Sequence, residues 1–423
     1  MQEIYIKEKN QNGLTIEEIT EAIEKSIDLT KLNKVLIVPP DFTRFYSNAG
    51  LITNIYYHYL VNNGIEVDIL PALGTHDKMT EKECLEMFGN IPYDKFFYHD
   101  WRNDVISIGE VPKDFLYEIS EGLWDMPVDV QVNKLLMDES YDLILSIGQI
   151  VPHEVVGIAN HSKNLLVGCG GKTIIDSSHM LGAVYGMERM MGRDHTPVRK
   201  MFDYAFNNFL SKRPVLFVLT VTSAPNDQTI QHGLYIGQLR KGFELGIEQV
   251  QNKNLDFLDK PIKKCVVYLE PKEFKSTWLG NKAVYRTRMA IADGGELLIL
   301  APGITKFGED LEIDRLIRKY GYLGRLKVLE LFKENKDLQD NMSVAAHLIH
   351  GSSDDRFKIT YAVKNITEEE IKSVNFEAVS YLEAVKRYDH TKLKQGFNTL
   401  EDGEEIYYIA NPALGLWVDK NKF

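Results

Sequence analysis

The chain has 423 residues, 44% of them hydrophobic, and a formal net charge of −12. That length exceeds one comfortable core and indicates two domains, while an acidic balance without a basic block argues against nucleic acid, whose phosphates require clustered Lys and Arg. Three scattered cysteines, Cys84, Cys169 and Cys265, build no disulfide framework. With no apolar signal core in MQEIYIKEKNQNGLT and no membrane-length apolar run, the sequence reads as a cytoplasmic protein away from membranes.

In chain order, KVLIVP (34–39) reads as a strand. LITNIYYHYLVNNG follows with helical apolar spacing and a closing Gly64, and EVDILPAL (66–73) is the next strand. Thr80-x-x-Glu83 has the form of a capping box and predicts a helix from about residue 81. DLILSIG (142–148) and PVLFVLTVTS (214–223) complete the strands of the first half. Strand, helix, strand at this spacing predicts parallel βαβ units. LDFLDKPIKK, with its proline and mixed charge, marks a boundary near 255–264. Beyond it, KKCVVYLE (263–270), ELLILAP (296–302) and FKITYAV (357–363) read as strands. NKAVYRTRMAIADG, EDLEIDRLIRKYG and GRLKVLELFKEN read as helices. The expected fold is α/β: two α/β domains with mainly parallel sheets and the active site in the cleft between them. The first domain is placed at 1–262 and the second at 263–396, with the segment 397–423 packing back on the first.

Ligands of open parallel sheets bind beyond the carboxyl ends of the strands, and four features fall there. Asp41-Phe42-Thr43-Arg44 follows the first strand; alone it reads equally as a helix cap with a surface arginine. Gly74-Thr75-His76 follows the second strand, on a loop where a single histidine is more often a solvated one. His153 follows DLILSIG in the equivalent position. Two histidines from separate strand ends can face one space as opposed acid/base groups. Lys163 and His179 come next, in a stretch that also holds His161. The spacing of His153, His161 and His179 fits no zinc signature, and GCGGK (168–172) is not a phosphate loop, because its first glycine is one residue too close to Lys172.

Together these stretches resemble the lactate racemase family, nickel-pincer enzymes that racemise or epimerise 2-hydroxy acids. Asp41, Thr43 and Arg44 match its DxTR stretch, and Gly74, Thr75 and His76 its GTH stretch. Pro152-His153, ten residues ahead of Lys163 with Gly157 between, and His179 sixteen residues beyond the lysine match the rest. Tyr98-His99-Asp100-Trp101 resembles a further histidine–aspartate stretch. The resemblance implies an isomerase with a nickel-pincer nucleotide, a pyridinium-3,5-dithiocarboxylic acid mononucleotide, attached at Lys163. It implies His179 as the nickel ligand, and Asp41 and Thr43 as further cofactor contacts. His76 and His153 would alternate as acid and base while hydride moves from C2 and back, and Arg44 would hold the substrate carboxylate.

Two departures stand out. Asn160-His161 occupies the place of a glycine pair common before the attachment lysine. Tyr285-Arg286-Thr287-Arg288 stands where lactate enzymes carry Tyr-Gln and Lys. Tyr285, Arg286 and Arg288 are taken as substrate-binding, against the alternative of a solvated helix face. Their added donors favour a sugar acid, an aldonate such as gluconate, over lactate or another short-chain acid. His347 and His350 read as packing and surface residues. A non-catalytic carrier of the nickel cofactor and a zinc hydrolase are the other readings. The implied partners are a small-molecule 2-hydroxy acid and the enzymes of cofactor biosynthesis, and a homo-oligomer is compatible with the sequence.

Overall fold

The computed structural model describes residues 2–224 and 228–423. The chain divides into two compact units, one of residues 1–181 and 190–254, the other of residues 182–189 and 255–423. Among the described residues no helix is long and apolar enough to cross a membrane.

The first unit contains strands β1 (Ile4–Lys7), β2 (Lys34–Val38), β3 (Glu66–Ile69), β4 (Val105–Val111), β5 (Val128–Asn133), β6 (Leu143–Gln149), β7 (Pro152–His153), β8 (Gly157–Ile158), β9 (Val215–Ser223) and β10 (Ile230–Gly237). Six of them form a sheet in the order β1-β10-β9-β6-β2-β3. The pairs β9–β6, β6–β2 and β2–β3 are parallel, and the β10 and β1 edge is antiparallel. Val35 to Val38 have no exposed surface, as expected of a strand buried on both faces. Helix Ala49–Asn62 returns the chain from β2 to β3, burying Ile52, Tyr56 and Leu60 against the sheet core. The helix expected after residue 80 runs Glu81–Phe88, and both halves of the Thr80–Glu83 capping box are made.

In sheet order β3 lies on one side of β2 and β6 on the other. The crevice between β2 and β6 is therefore a topological switch point, the place where open α/β sheets bind ligands.

The second unit contains β11 (Asp256–Leu258), β12 (Ile262–Tyr268), β13 (Ile291–Ala301), β14 (Lys358–Val363), β15 (Glu377–Ser380), β16 (Gly396–Thr399), β17 (Glu405–Ile409) and β18 (Trp417–Asp419). Its main sheet has the order β15-β14-β13-β12-β17-β16, parallel except at the β16 edge.

Three expectations are corrected here. The segment 397–423 does not return to the first domain. β17 pairs with β12 and β18 with β11, so the segment completes the second unit and covers an edge that β12 would otherwise expose. The excursion 182–189, expected in the first domain, joins the second unit, where Val184 O accepts from Arg325 Nη1 at 3.0 Å. The helix expected to run to Gly294 stops early: helix Lys282–Thr287 gives way to β13, which begins at Ile291. Ile262 pairs with Ile291 and Lys264 with Glu296 across an irregularity in register, so sheet pairing overrides the helical spacing there.

A chain ending at residue 395 lacks β16, β17 and β18. Scanning calorimetry is expected to show loss of cooperative unfolding of the second unit. Its retention would mean that the segment belongs elsewhere.

Candidate active site

The loops after β2, β3 and β6, three neighbouring parallel strands, carry the residues singled out in the sequence. After β2, Asp41 is buried while Thr43 and Arg44 are exposed. Thr43 Oγ1 donates to Asp41 Oδ1 at 2.6 Å, and Asp41 Oδ2 lies 2.5 Å from His76 Nδ1, which reaches it from the loop after β3. Burial pushes the Asp41 carboxyl up. The hydrogen bonds from His76 and Thr43 and the charge of Arg44 outweigh that and hold it below the usual carboxylate range. An ionised Asp41 accepts, so His76 Nδ1 donates to it, and in the neutral form of this imidazole Nε2 is the nitrogen with the lone pair. The side chain of His76 is more than half exposed.

Gly74 holds this loop open at φ 58°, and its N–H donates to Gly168 O at 2.8 Å. The GCGG stretch is thus a structural seam. A Cβ at Gly168, Gly170 or Gly171 would collide with Asn164 O, Leu166 O or the Gln131 side chain. Cys169 is buried and its thiol is pushed far up by burial, which leaves it inert. His99 is fully buried and donates from Nε2 to Gly170 O at 3.1 Å, while its Nδ1 accepts from Asn133 Nδ2 at 3.0 Å. The Tyr98–Trp101 stretch therefore braces the seam.

After β6, His153 is buried and its Nδ1 accepts the Val155 N–H at 3.1 Å. The neutral ring then bears its proton on Nε2. Burial first, and then the Lys163 charge, hold this imidazole well below its ordinary range, so it is neutral at pH 7. Lys163 sits in helix Ser162–Leu166, beside Asn164, whose Nδ2 donates to Val38 O and Ser146 Oγ, both at 3.1 Å. Asn164 therefore spans the crevice between β2 and β6. Burial, followed by the charge of Arg44, pushes the Lys163 amine down to about 8. His179, on helix Lys172–Tyr185, donates from Nδ1 to Ile175 O at 2.7 Å, and burial keeps it neutral as well.

The charges of Lys163, Arg44 and Glu154 act on His153, those of Arg44 and Asp41 on Lys163, and those of Lys163 and Glu154 on His179. Asp41, Arg44, His153, Lys163 and His179 therefore share one electrostatic neighbourhood. Glu154 was missed in the sequence. Its carboxylate favours the protonated forms of His153, Lys163 and His179 against the effect of burial, and its only signal is its place beside His153.

Residues 2–191 match the family model of the lactate racemase N-terminal domain. The match likens this first part of the chain to the lactate racemase family. A protein from Thermotoga maritima has a similar crystal structure, with a TM-score of 0.80 at 25% identity over 98% of this chain and 100% of that one. The lactate racemase apoprotein from Thermoanaerobacterium thermosaccharolyticum is similar in fold, with a TM-score of 0.70 at 17% identity over 94% of this chain and 92% of that one. No curated protein matches the chain.

Tyr285, Arg286 and Arg288 lie in the second unit. Arg288 does not fit the substrate role expected of it. It is 4% exposed, and its guanidinium donates to Glu188 Oε1 at 2.9 Å and to the carbonyls of His350 and Ser352 at 3.2 and 3.1 Å. It clamps the excursion 182–189 to the end of helix Met342–His350. Tyr285 is buried too, its hydroxyl 2.7 Å from His347 Nδ1, and His347 Nε2 is 2.9 Å from the Tyr322 hydroxyl. His347 and His350 are both buried. Arg286 is half-buried on helix Lys282–Thr287.

Two outcomes follow from these environments. Acylation of Lys163 by dilute acetic anhydride, read from peptide masses, is expected to rise with pH around a midpoint near 8 rather than the ordinary value of about 10.4. R288M is expected to destabilise the second unit by about 3–5 kcal/mol in thermal unfolding, as removing one partner of a buried ion pair does, while the Lys163 midpoint stays in place.

Proposed function

We propose that this site inverts C2 of a 2-hydroxy acid. The observation that carries the reading is the pair of oriented histidines near a half-buried lysine. His76 is turned by Asp41 so that Nε2 faces away from the carboxylate, and His153, ordered by the Val155 amide, offers an N–H at Nε2.

The residues fit the covalently held nickel nucleotide that the family resemblance implies. Lys163 is half-buried, and its amine, pushed down to about 8 by desolvation, is substantially unprotonated near pH 8, as nucleophilic attachment requires; no carboxylate forms a salt bridge with it among the described residues. The Nδ1–H of His179 is fixed on a backbone carbonyl, the arrangement that orients a ligating imidazole and leaves Nε2 free. Among the described residues no group of three or more His, Cys, Asp or Glu could hold a metal. A metal at His179 would therefore bring its other donors with it, as a sulfur-bearing nucleotide does. When bound, such a group supplies the hydride acceptor and donor for C2.

The chain's own residues then divide the work. Arg44 binds the substrate carboxylate through a planar guanidinium. His76 takes the hydroxyl proton at Nε2, and the Asp41 carboxylate stabilises the imidazolium that forms. At the opposite face the Nε2–H of neutral His153 hydrogen-bonds the substrate oxygen as it becomes a carbonyl, and the proton held on His76 returns to that oxygen when the alcohol is restored, so no imidazolate forms. For His153 to accept a proton instead, the ring must carry its own proton on Nδ1 and release the Val155 amide. Thr43 keeps Asp41 turned toward His76.

Arg286 and Arg288 were the donors that favoured a sugar acid; Arg288 is engaged inside the second unit, and Arg286 is half-buried there. The substrate class is accordingly a 2-hydroxy acid recognised by its carboxylate and C2 hydroxyl. The oriented Asp41–His76 pair also favours an enzyme over a cofactor carrier, which needs no aimed base.

H76A and H153A are each expected to lower racemisation by at least about a hundredfold, the usual contribution of a general acid or base, while the intact mass still shows an adduct at Lys163. Chiral chromatography of C2-deuterated lactate and C4 to C6 homologues, with mass detection, provides the assay. Retention of deuterium in the inverted product is expected for hydride transfer. Wash-out to solvent, or full activity in either variant, would sink the mechanism.

A further inference from the structure

Lys163 sits on a helix of five residues, Ser162–Leu166. So short a helix does not hold itself in place by propensity. Its position comes from the two neighbours of the lysine. Asn164 bolts one side to the ends of β2 and β6. Ser162 bolts the other: its hydroxyl donates to Asp203 Oδ1 at 2.9 Å and accepts from Arg199 Nη1 at 2.9 Å.

Arg199 makes more than that one contact. Its Nη2 donates to Ile158 O at 2.7 Å and to Asn160 O at 3.1 Å. One guanidinium thus gathers three points of the loop 158–162, from a side chain only 1% exposed. The arginine rises from helix Pro197–Ala205, whose cap Thr196 also donates to Val156 O at 2.8 Å. Asp203, one turn on, is steadied by Arg240 Nε at 3.1 Å, and Arg240 in turn pairs with Asp194 at 2.7 Å.

The loop needs a clamp. Asn160 and His161 have φ of 71° and 55°, the left-handed region that side chains other than glycine avoid. Their place was the glycine pair expected from the family resemblance. The His161 ring is stacked between Phe217 and Phe243, with centroids 3.9 and 5.0 Å apart, and both of its nitrogens are buried without a hydrogen-bond partner. The Arg199 guanidinium lies over the same Phe243 ring at 4.7 Å. His161 therefore fills space as an aromatic wedge; its N–H donates to Asn160 Oδ1 at 2.8 Å and its carbonyl accepts from the Asn164 N–H at 3.0 Å, while Arg199 holds Asn160 and Ser162 on either side of it.

We infer that Arg199 is a positioning residue for Lys163, clamping Ile158, Asn160 and Ser162 so that the lysine side chain leaves the loop at one fixed point. The inference rests on the reading of Lys163 as the amine of the site. A lysine at 199 would keep the charge but lose the planar fork that reaches three acceptors.

The test is the pH profile of Lys163 acylation by acetic anhydride on the full-length protein, with thermal unfolding measured alongside. R199K keeps the positive charge and removes the fork. S162A removes one bridging hydroxyl and tests the same clamp should R199K fail to fold. In each folded variant the Lys163 midpoint is expected to move up by about one pH unit as the loosened amine regains water, with Lys200 unchanged as the internal control. A lower melting temperature with an unmoved Lys163 midpoint in S162A, and in R199K if it folds, would make Arg199 a plain structural residue and overturn the inference. The site reading itself fails separately, if Lys163 of the unaltered protein labels like an ordinary surface lysine and carries no adduct when made in a cofactor-competent host.

Discussion

The parallel pairing of β2 with β6 on one side and β3 on the other is the constraint on which the site depends. Parallel neighbours present their carboxyl ends together, so three loops distant in sequence open onto one place. The register pairs Val35 with Leu143 and Val67, fixing how far each loop begins from the next. A slip of one residue would exchange the packing partners of Val35 to Val38 between the two buried faces of the sheet, which the close-packed core excludes. Asn164 then joins the two strand ends across the crevice.

This geometry gathers Arg44, Lys163, His153 and His179 in a chain whose net charge is −12. An anionic substrate is held by local cations working against the overall field. Burial answers the repulsion among them: it drives Lys163 down to about 8 and keeps both imidazoles neutral, so few of these groups are charged at once. Asp41 and Glu154 supply the opposing charge. The same desolvation that limits charge leaves the lysine nucleophilic and the histidines able to exchange protons.

The second unit shows the same physics used for stability. Arg288 and Arg356 both reach Glu188 Oε1, at 2.9 Å each, and their charges hold that carboxyl below its usual range against the opposing effect of burial. An arginine pair that looks like a substrate clamp in one dimension is, for Arg288, a buried tie between segments more than 90 residues apart in the chain.

Much was legible in the residues alone. Apolar runs and the Thr80–Glu83 capping box placed β2, β3, β6 and β9 and the helices after β2 and β3 within a few residues, because burial on both faces of a parallel strand leaves a local mark; the antiparallel edge strands β1 and β10 of the same sheet were missed. The order and spacing of Asp41-x-Thr43-Arg44, Gly74-Thr75-His76, His153, Lys163 and His179 carried the family resemblance, because those residues stand in loops whose starting points the strands fix. Only the tertiary structure decided the rest. It set which nitrogen of His76 and His153 bears a proton, since that depends on Asp41 and the Val155 amide. It buried Arg288 and Tyr285 and returned 397–423 to the second sheet, since cross-chain pairing has no local signature. It also explained His161, whose left-handed backbone and aromatic cage exist only once Arg199 and Phe217 are folded around it.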